Sequence, residues 1–371
     1  MNLSYWEHKT WLSHVNYTIV GSGIVGLNCA LQLKLQFPKA KILILERGIL
    51  PQGASTKNAG FACFGSLSEI LDDLKTHSED EVIKLVQKRI DGLHLLRQNL
   101  SDQAINYQQL GGYELFNKDN QVLYDTCLSE RASINKLLFP VLKASIFSLK
   151  TNVFGFKKIR EKLIFNPFEG QIDTGEMMEA LLLKVQSAGI KILNNVTVEA
   201  YTELNGQVDV KTSHFQFITD KLLIATNGFA SQLINEDVKP ARAQVLITKA
   251  IPNLPFTGTF HLDKGYYYFR NINNRILLGG GRNLDFKGEE TTVMNETALI
   301  QNHLEQVMKT TILPNIPFEI DYCWSGIMGV GNQKKPIVKQ LSNHVYCGVR
   351  LGGMGVAIGS IIGKELAQLL K

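Results

Sequence analysis

The sequence predicts an α/β protein of two lobes, one opening on a parallel β-α-β unit and the other built on an antiparallel sheet. Three observations carry this. A β-branched, aromatic run at residues 15–20 empties into Gly21-Ser22-Gly23-Ile24-Val25-Gly26; a helical apolar period and a second apolar run at 42–45 follow; and two later runs around an Asn-rich turn read as a hairpin. At 371 residues a single core stops growing, so the chain is expected to divide.

Residues 15–20, Val-Asn-Tyr-Thr-Ile-Val, make the first strand. Leu27, Ala30, Leu31, Leu33, Leu35 and Phe37 then recur at helical spacing as far as Pro38, and Ile-Leu-Ile-Leu at 42–45 ends in Glu46. Gly21 permits a tight turn, Gly23 lets the backbone approach a pyrophosphate, and Gly26 lets helix and strand pack closely. The phosphate would meet free N–H groups at the helix start, those of Ile24 and Val25 among them, where the helix dipole favours negative charge. Glu46 is spaced to accept hydrogen bonds from a ribose diol and would repel a 2′-phosphate, which disfavours NADP. The glycines alone would suit any glycine-rich turn; strand, glycines, helix, strand and acid in order point to dinucleotide binding.

Composition excludes several classes. With 44% apolar residues, 20% charged residues and a net charge of +5, the chain is neither disordered nor collagen-like. Its short basic clusters (Lys157, Lys158, Arg160 and Lys162; Lys334 and Lys335) are scattered, so nucleic acid is not indicated. Cys29, Cys63, Cys127, Cys323 and Cys347 form no C-x-x-C pair and no zinc spacing, so no metal and reduced thiols are expected. The first sixteen residues carry Glu7, His8, Lys9 and His14, unlike a signal peptide, and no apolar run reaches membrane-spanning length. A cytoplasmic protein is expected.

Residues 67–100 read as one or two amphipathic helices, and Tyr113 to Phe116 as strand-like. The basic, apolar stretch 139–165 reads as a packed helical insertion, with a membrane-surface helix as the alternative, so peripheral membrane contact stays open. A helix at 176–188 stopping at Gly189, strands at 191–193 and 196–198, and a buried strand from Leu222 into Thr226-Asn227-Gly228 follow. Residues 241–247, 265–270 and 275–282 form antiparallel strands, the last two a hairpin; Tyr266, Tyr268 and Arg270 share one face, either a pocket lining or the wet outside of the sheet.

After Glu46 come Arg47-Gly48 and then Gly53-Ala54-Ser55-Thr56-Lys57-Asn58-Ala59-Gly60. With this loop the chain resembles the FAD-dependent D-amino-acid oxidase superfamily, in the branch of glycine, sarcosine and γ-glutamylputrescine oxidases. Trp324-Ser325-Gly326 and the turn Gly352-Gly353-Met354-Gly355-Val356 before a final helix, with Gly359 and Gly363, resemble its closing motif. The resemblance implies a Rossmann-like FAD-binding domain of the glutathione-reductase type at 1–80, 166–240 and 330–371. It implies an α+β substrate domain on an antiparallel sheet at 81–165 and 241–329. It further implies that Arg47, Ala54, Ser55, Thr56, Asn58, Ala59 and Gly60 join the glycine turn around the pyrophosphate and ribityl chain, with Val198 or a neighbour at the adenine. Thr226, Asn227 and Gly228 would lie at the end of a late strand of that domain. N–H groups of Gly353, Met354, Gly355 and Val356 would face the flavin.

Two departures matter. Where relatives carry a carboxylate-binding arginine this chain has Met328, with Arg350 nearby as a compensating cation; where sarcosine oxidase links its flavin to cysteine it has Gly326. Cys323 is expected to be a buried inert thiol and FAD to be non-covalent. The implied reaction is hydride transfer from a small amine or amino acid to flavin N5, with O2 or an electron carrier as acceptor. Tyr266, Tyr268 and Arg270 are the expected pocket residues, and Arg282 and Arg350 alternative anion anchors. A 2-hydroxy-acid dehydrogenase, a tRNA-modifying flavoprotein and a non-catalytic FAD-binding protein remain alternatives.

Overall fold

Residues 3–371 are described by a computed structural model. The strand Val15–Val20 lies at the middle of the first sheet, parallel to Ile42–Leu45 on one side and to Gln216–Ile224 on the other. Lys191–Leu193 extends the parallel set beyond Ile42–Leu45, and Val345–Val349 extends it beyond Gln216–Ile224. Ile42–Leu45 and Val345–Val349 are buried along their whole length, which is why their sequences read as continuous apolar runs rather than alternating ones.

One face of this sheet is covered by the helices Ile24–Gln36, Glu79–Leu100, Thr174–Ser187 and Gly355–Gln368. Three of them meet backbone to side chain at glycines. A Cβ on Gly363 would lie 2.5 Å from the Val25 carbonyl oxygen, one on Gly359 2.7 Å from Ile24, and one on Gly92 2.1 Å from the Ala357 carbonyl oxygen. The other face packs under the antiparallel extension Val198–Leu204, Gln207–Thr212 and Gln216–Ile224, with Val208 and Val210 buried against Leu43 and Leu45.

The second sheet has eight strands in the order Ile320–Val330, Lys239–Thr248, Arg275–Gly280, Tyr267–Ile272, Thr259–Leu262, Gly112–Leu115, Lys162–Asn166 and Ser148–Thr151. All neighbours are antiparallel except Thr259–Leu262 beside Gly112–Leu115. An aromatic cluster fills its core, with Phe260 and Phe269 stacked at 4.6 Å and Phe156 edge-on to both.

The fold revises two expectations. Residues 139–165 do not form a helix: the helix Gln121–Leu142 ends there and two strands follow, because Phe147, Leu163 and Ile164 are drawn inward by the second sheet and its covering helices. The helix that begins at the expected boundary near residue 80 straddles it. Leu85, Leu93, Leu96 and Leu100 of Glu79–Leu100 share the core of the first sheet, while Val82, Val86 and Ile90 pack with Gln121–Leu142. Among the described residues no helix is long and apolar enough to cross a membrane.

The contact at Gly92 gives a direct test. G92A should lower stability by about 1–3 kcal/mol through overpacking, read as a lower urea midpoint at unchanged slope.

Candidate active site

A cavity of about 600 Å3 runs between the two sheets. At one end lies the first glycine turn. Gly21 has φ +103°, and a Cβ there would meet the Ala225 carbonyl oxygen at 2.9 Å. Gly26 faces away from the cavity; its missing Cβ would fall 2.0 Å from the Gly21 carbonyl oxygen, so it serves packing rather than contact. Gly23, Ile24 and Val25 line the wall, and the Ile24 N–H donates to Ser55 Oγ at 2.9 Å. The helix start and the 53–60 loop are thereby joined before any ligand arrives.

Glu46 is nearly buried in the same wall. Its carboxylate accepts from the Ser22 N–H at 3.0 Å, from Ser22 Oγ at 2.7 Å and from the Gly48 N–H at 3.0 Å, which fixes its direction toward the cavity. Arg47 stacks 3.6 Å over the Phe229 ring, and Val196, Thr197 and Val198 complete this end.

The 53–60 loop forms a short helix, Ala54–Lys57, then an Asn turn. Ala54, Ser55, Asn58, Ala59 and Gly60 line the cavity. Thr56 does not: its hydroxyl donates to the Pro51 and Gly53 carbonyls and closes the turn from behind. Gly228 is likewise a packing residue, its Cβ position 2.6 Å from the Met328 carbonyl oxygen, whereas Thr226 and Asn227 are in the wall. Thr226 Oγ1 is buried without a partner. At the closing turn, residues 353–356 line the cavity at the start of Gly355–Gln368; a Cβ on Gly353 would meet only Met328 Sδ at 3.9 Å, so the backbone at Gly353 borders open space, while the Met354 N–H donates to the Leu351 carbonyl at 3.3 Å.

Beyond them is the substrate end. Tyr268 lines it with its ring edge on Phe61 at 5.5 Å, and burial pushes its phenol up to about 12, so it stays protonated. Tyr266 precedes the strand and sits 36% exposed at the mouth, against Phe286. Arg270 is not a pocket residue. It shares the Tyr268 face but lies one step further along, and its buried guanidinium donates to the Ala59 and Ile172 carbonyls behind the loop. Arg350 reaches the cavity but is committed: Nε donates to the Lys335 carbonyl at 2.9 Å and Nη1 to Asp237 at 2.8 Å. Met328 does line the wall. Cys323 is exposed and outside the cavity, contrary to the expectation of a buried thiol, because its end of the strand Ile320–Val330 lies at a sheet edge.

Sequence reasoning missed His261, Phe61, Cys63 and Arg89, all in the wall. None belongs to a motif, and His261 is recognisable only through its partner. Its Nε2 binds Glu169 Oε2 at 2.8 Å, with both side chains buried, and Glu169 also accepts from Thr259. Burial alone would lower the imidazole, but Glu169, with Glu69 and Glu114 beyond it, outweighs that and holds it at about 9. Glu114, beside His261 in the sheet register, is pushed up to about 7 by burial. Cys63, Glu169 and His261 bring ligand-type atoms within 4.8 Å. Nε2 binds Glu169, and burial raises the Cys63 thiol well above its ordinary value, so the group is an ion pair beside a thiol.

The profile of the family described as "FAD dependent oxidoreductase" (DAO) matches residues 16–369. The chain belongs to this family. It is 22% identical over 384 residues to "Probable oxidoreductase OrdL" of Haemophilus influenzae, covering 97% of this chain and 84% of that protein. Glycine oxidase from Geobacillus kaustophilus superposes with a TM-score of 0.79 at 18% identity over 96% of this chain and 94% of the other. L-proline dehydrogenase from P. horikoshii gives 0.75 at 17% identity over 96% and 93%.

FAD is therefore the cofactor of this oxidoreductase, and the residues fit it. The Gly21 and Gly23 cradle, the preoriented Glu46, the unpartnered Thr226 hydroxyl and the cavity-lining turn at 353–356 are what a pyrophosphate, a ribose and a flavin ring would need.

Two outcomes are expected. In R270A two buried carbonyls lose their donor at about 1–3 kcal/mol each, so the purified variant should lose FAD on gel filtration that the parent retains. For His261 the folded value is raised from 6.5 to about 9. Its stabilisation is thus complete below 6.5 and lost as pH rises through about 9. The thermal midpoint should fall over that window, and H261Q should flatten the descent.

Proposed function

We propose that this oxidoreductase acts on a small amine or amino acid, breaking the C–H bond next to nitrogen, with FAD held non-covalently. When bound, FAD accepts the hydride at N5. The reading rests chiefly on the protonation states of the substrate end. Tyr268 and His261 are both held protonated, so neither takes up a proton at neutral pH. The carboxylates there are occupied: Glu69 caps its own helix at Ser66, Asp72 pairs with Lys264, and Asp73 with Arg89 and Lys334.

Oxidising an alcohol by hydride loss requires a base for its O–H proton; a neutral amine supplies its own lone pair. A wall with protonated donors and engaged carboxylates suits the amine. Phe61, Val245, Tyr268 and Met328 exclude water from the reacting carbon, while the loop held by Arg270 and the turn at 353–356 orient the ring. The names of structural neighbours, glycine oxidase, L-proline dehydrogenase and an iminodiacetate oxidase, all refer to nitrogen-bearing substrates. Electrons then leave to O2 or a carrier.

Anaerobic mixing of the yellow holoenzyme with a panel of amines, amino acids and 2-hydroxy acids tests this. Bleaching by an amine with release of an imine product or ammonia is expected; bleaching by hydroxy acids alone, or by nothing in the panel, overturns it.

A further inference from the structure

The positive charge of this chain is concentrated in one segment. Residues 131–162 carry eight cations and one carboxylate, Glu161, a net of +7; the whole chain carries +5, so everything outside the segment sums to −2. Six of the eight are lysines, Lys136, Lys143, Lys150, Lys157, Lys158 and Lys162, and all six are exposed. The ion pairs formed among the described residues involve none of them. The two arginines are engaged with the fold: Arg131 donates to the Phe147 carbonyl and Arg160 to that of Lys118.

The fold gathers this segment on one rim. Asn135, near the C-terminal end of Gln121–Leu142, accepts from the Ile146 N–H at 3.0 Å and the Phe147 N–H at 2.8 Å, which seats the helix end against the start of Ser148–Thr151. That strand pairs only with Lys162–Asn166, so it is the free edge of the second sheet. The Asn152 N–H, donating to the Glu161 carbonyl at 2.8 Å, carries the pairing on into the connection 152–161. Three apolar side chains stand among the lysines: Phe139 at 51% exposure, Leu149 at 39% and Val153 at 79%. Phe139 and Lys136 line a surface hollow with Pro140 and Ser145. No residue of the segment lines the cavity between the sheets.

Unpaired ammonium groups on long stems, set around a few apolar side chains, suit an anionic lipid surface: headgroups meet the charges while the apolar groups enter the acyl boundary. Nucleic acid fits less well. Its sites favour bidentate arginine and stacked aromatic rings, but here both arginines are turned to carbonyls and Phe139 is the one exposed ring of the segment. We propose that this rim docks the protein on membranes rich in anionic phospholipid, with Phe139, Leu149 and Val153 entering the headgroup boundary. The contact is made by a helix end and a sheet edge rather than by a surface helix at 139–165, and it is independent of the amine-oxidising reading.

Co-sedimentation of the holoenzyme with lipid vesicles tests it. Vesicles of equimolar phosphatidylcholine and phosphatidylglycerol should carry the protein down at low salt, phosphatidylcholine alone should not, and added salt should weaken the binding. A lysine near such a surface contributes about fivefold in affinity, so K136Q/K143Q/K150Q should weaken binding about a hundredfold. K39Q, an exposed lysine of the first lobe, should leave it within about twofold. F139S should weaken it severalfold with the salt dependence unchanged, because what is lost is apolar insertion. Retention of the yellow cofactor shows that each variant has folded. Sedimentation with neutral vesicles as strong as with anionic ones, undiminished binding in the triple lysine variant or in F139S, or binding to tRNA with none to anionic vesicles, overturns the proposal.

Discussion

The arrangement of this molecule turns on one buried cation. Arg270 belongs to the second sheet, yet its guanidinium crosses to the first lobe and is satisfied by the carbonyls of Ala59 and Ile172. A charge buried there with no carboxylate in ion-pair contact is tolerated because both carbonyls are held in place and Asp173 lies near enough to favour it, and in turn it fixes the loop that floors the cavity. Gly60, at φ +73°, has no room for a side chain because Arg270 and the Ile172 carbonyl occupy the space. This contact, together with the Trp324 indole N–H donating to the Lys57 carbonyl at 3.0 Å, ties the loop to the second sheet.

Much of the first lobe was legible. The strand Val15–Val20, the helix Ile24–Gln36 and the strand Ile42–Leu45 fall where periodicity placed them, because local pattern and tertiary burial agree there. The glycines at 359 and 363 signalled a close helix contact and make one. Residues 101–165 were less legible. Their strands pair with Thr259–Leu262 and with one another, and the aromatic cluster that buries them is assembled from distant segments. No local window carries that information.

The site divides the same way. Alternation correctly put Tyr268 and Arg270 on one face, but faces do not say how far along a strand the cavity extends, and Arg270 lies past its edge. Thr56 and Gly228 sit inside motifs yet serve the turn and the packing. His261 was invisible because its meaning comes from Glu169, ninety-two residues away in sequence and one hydrogen bond away in space. Charge pairing of this kind is a property of the assembled wall.

The first sheet is stitched from segments synthesised far apart: Val15–Val20 early, Gln216–Ile224 midway, Val345–Val349 and its helix late. On the ribosome, the early β-α-β unit therefore emerges with an open flank where Gly363 and Gly348 will later press. Until that flank is closed the nascent polypeptide exposes an apolar groove, so its biogenesis should depend on chaperone shelter more than its modest size suggests.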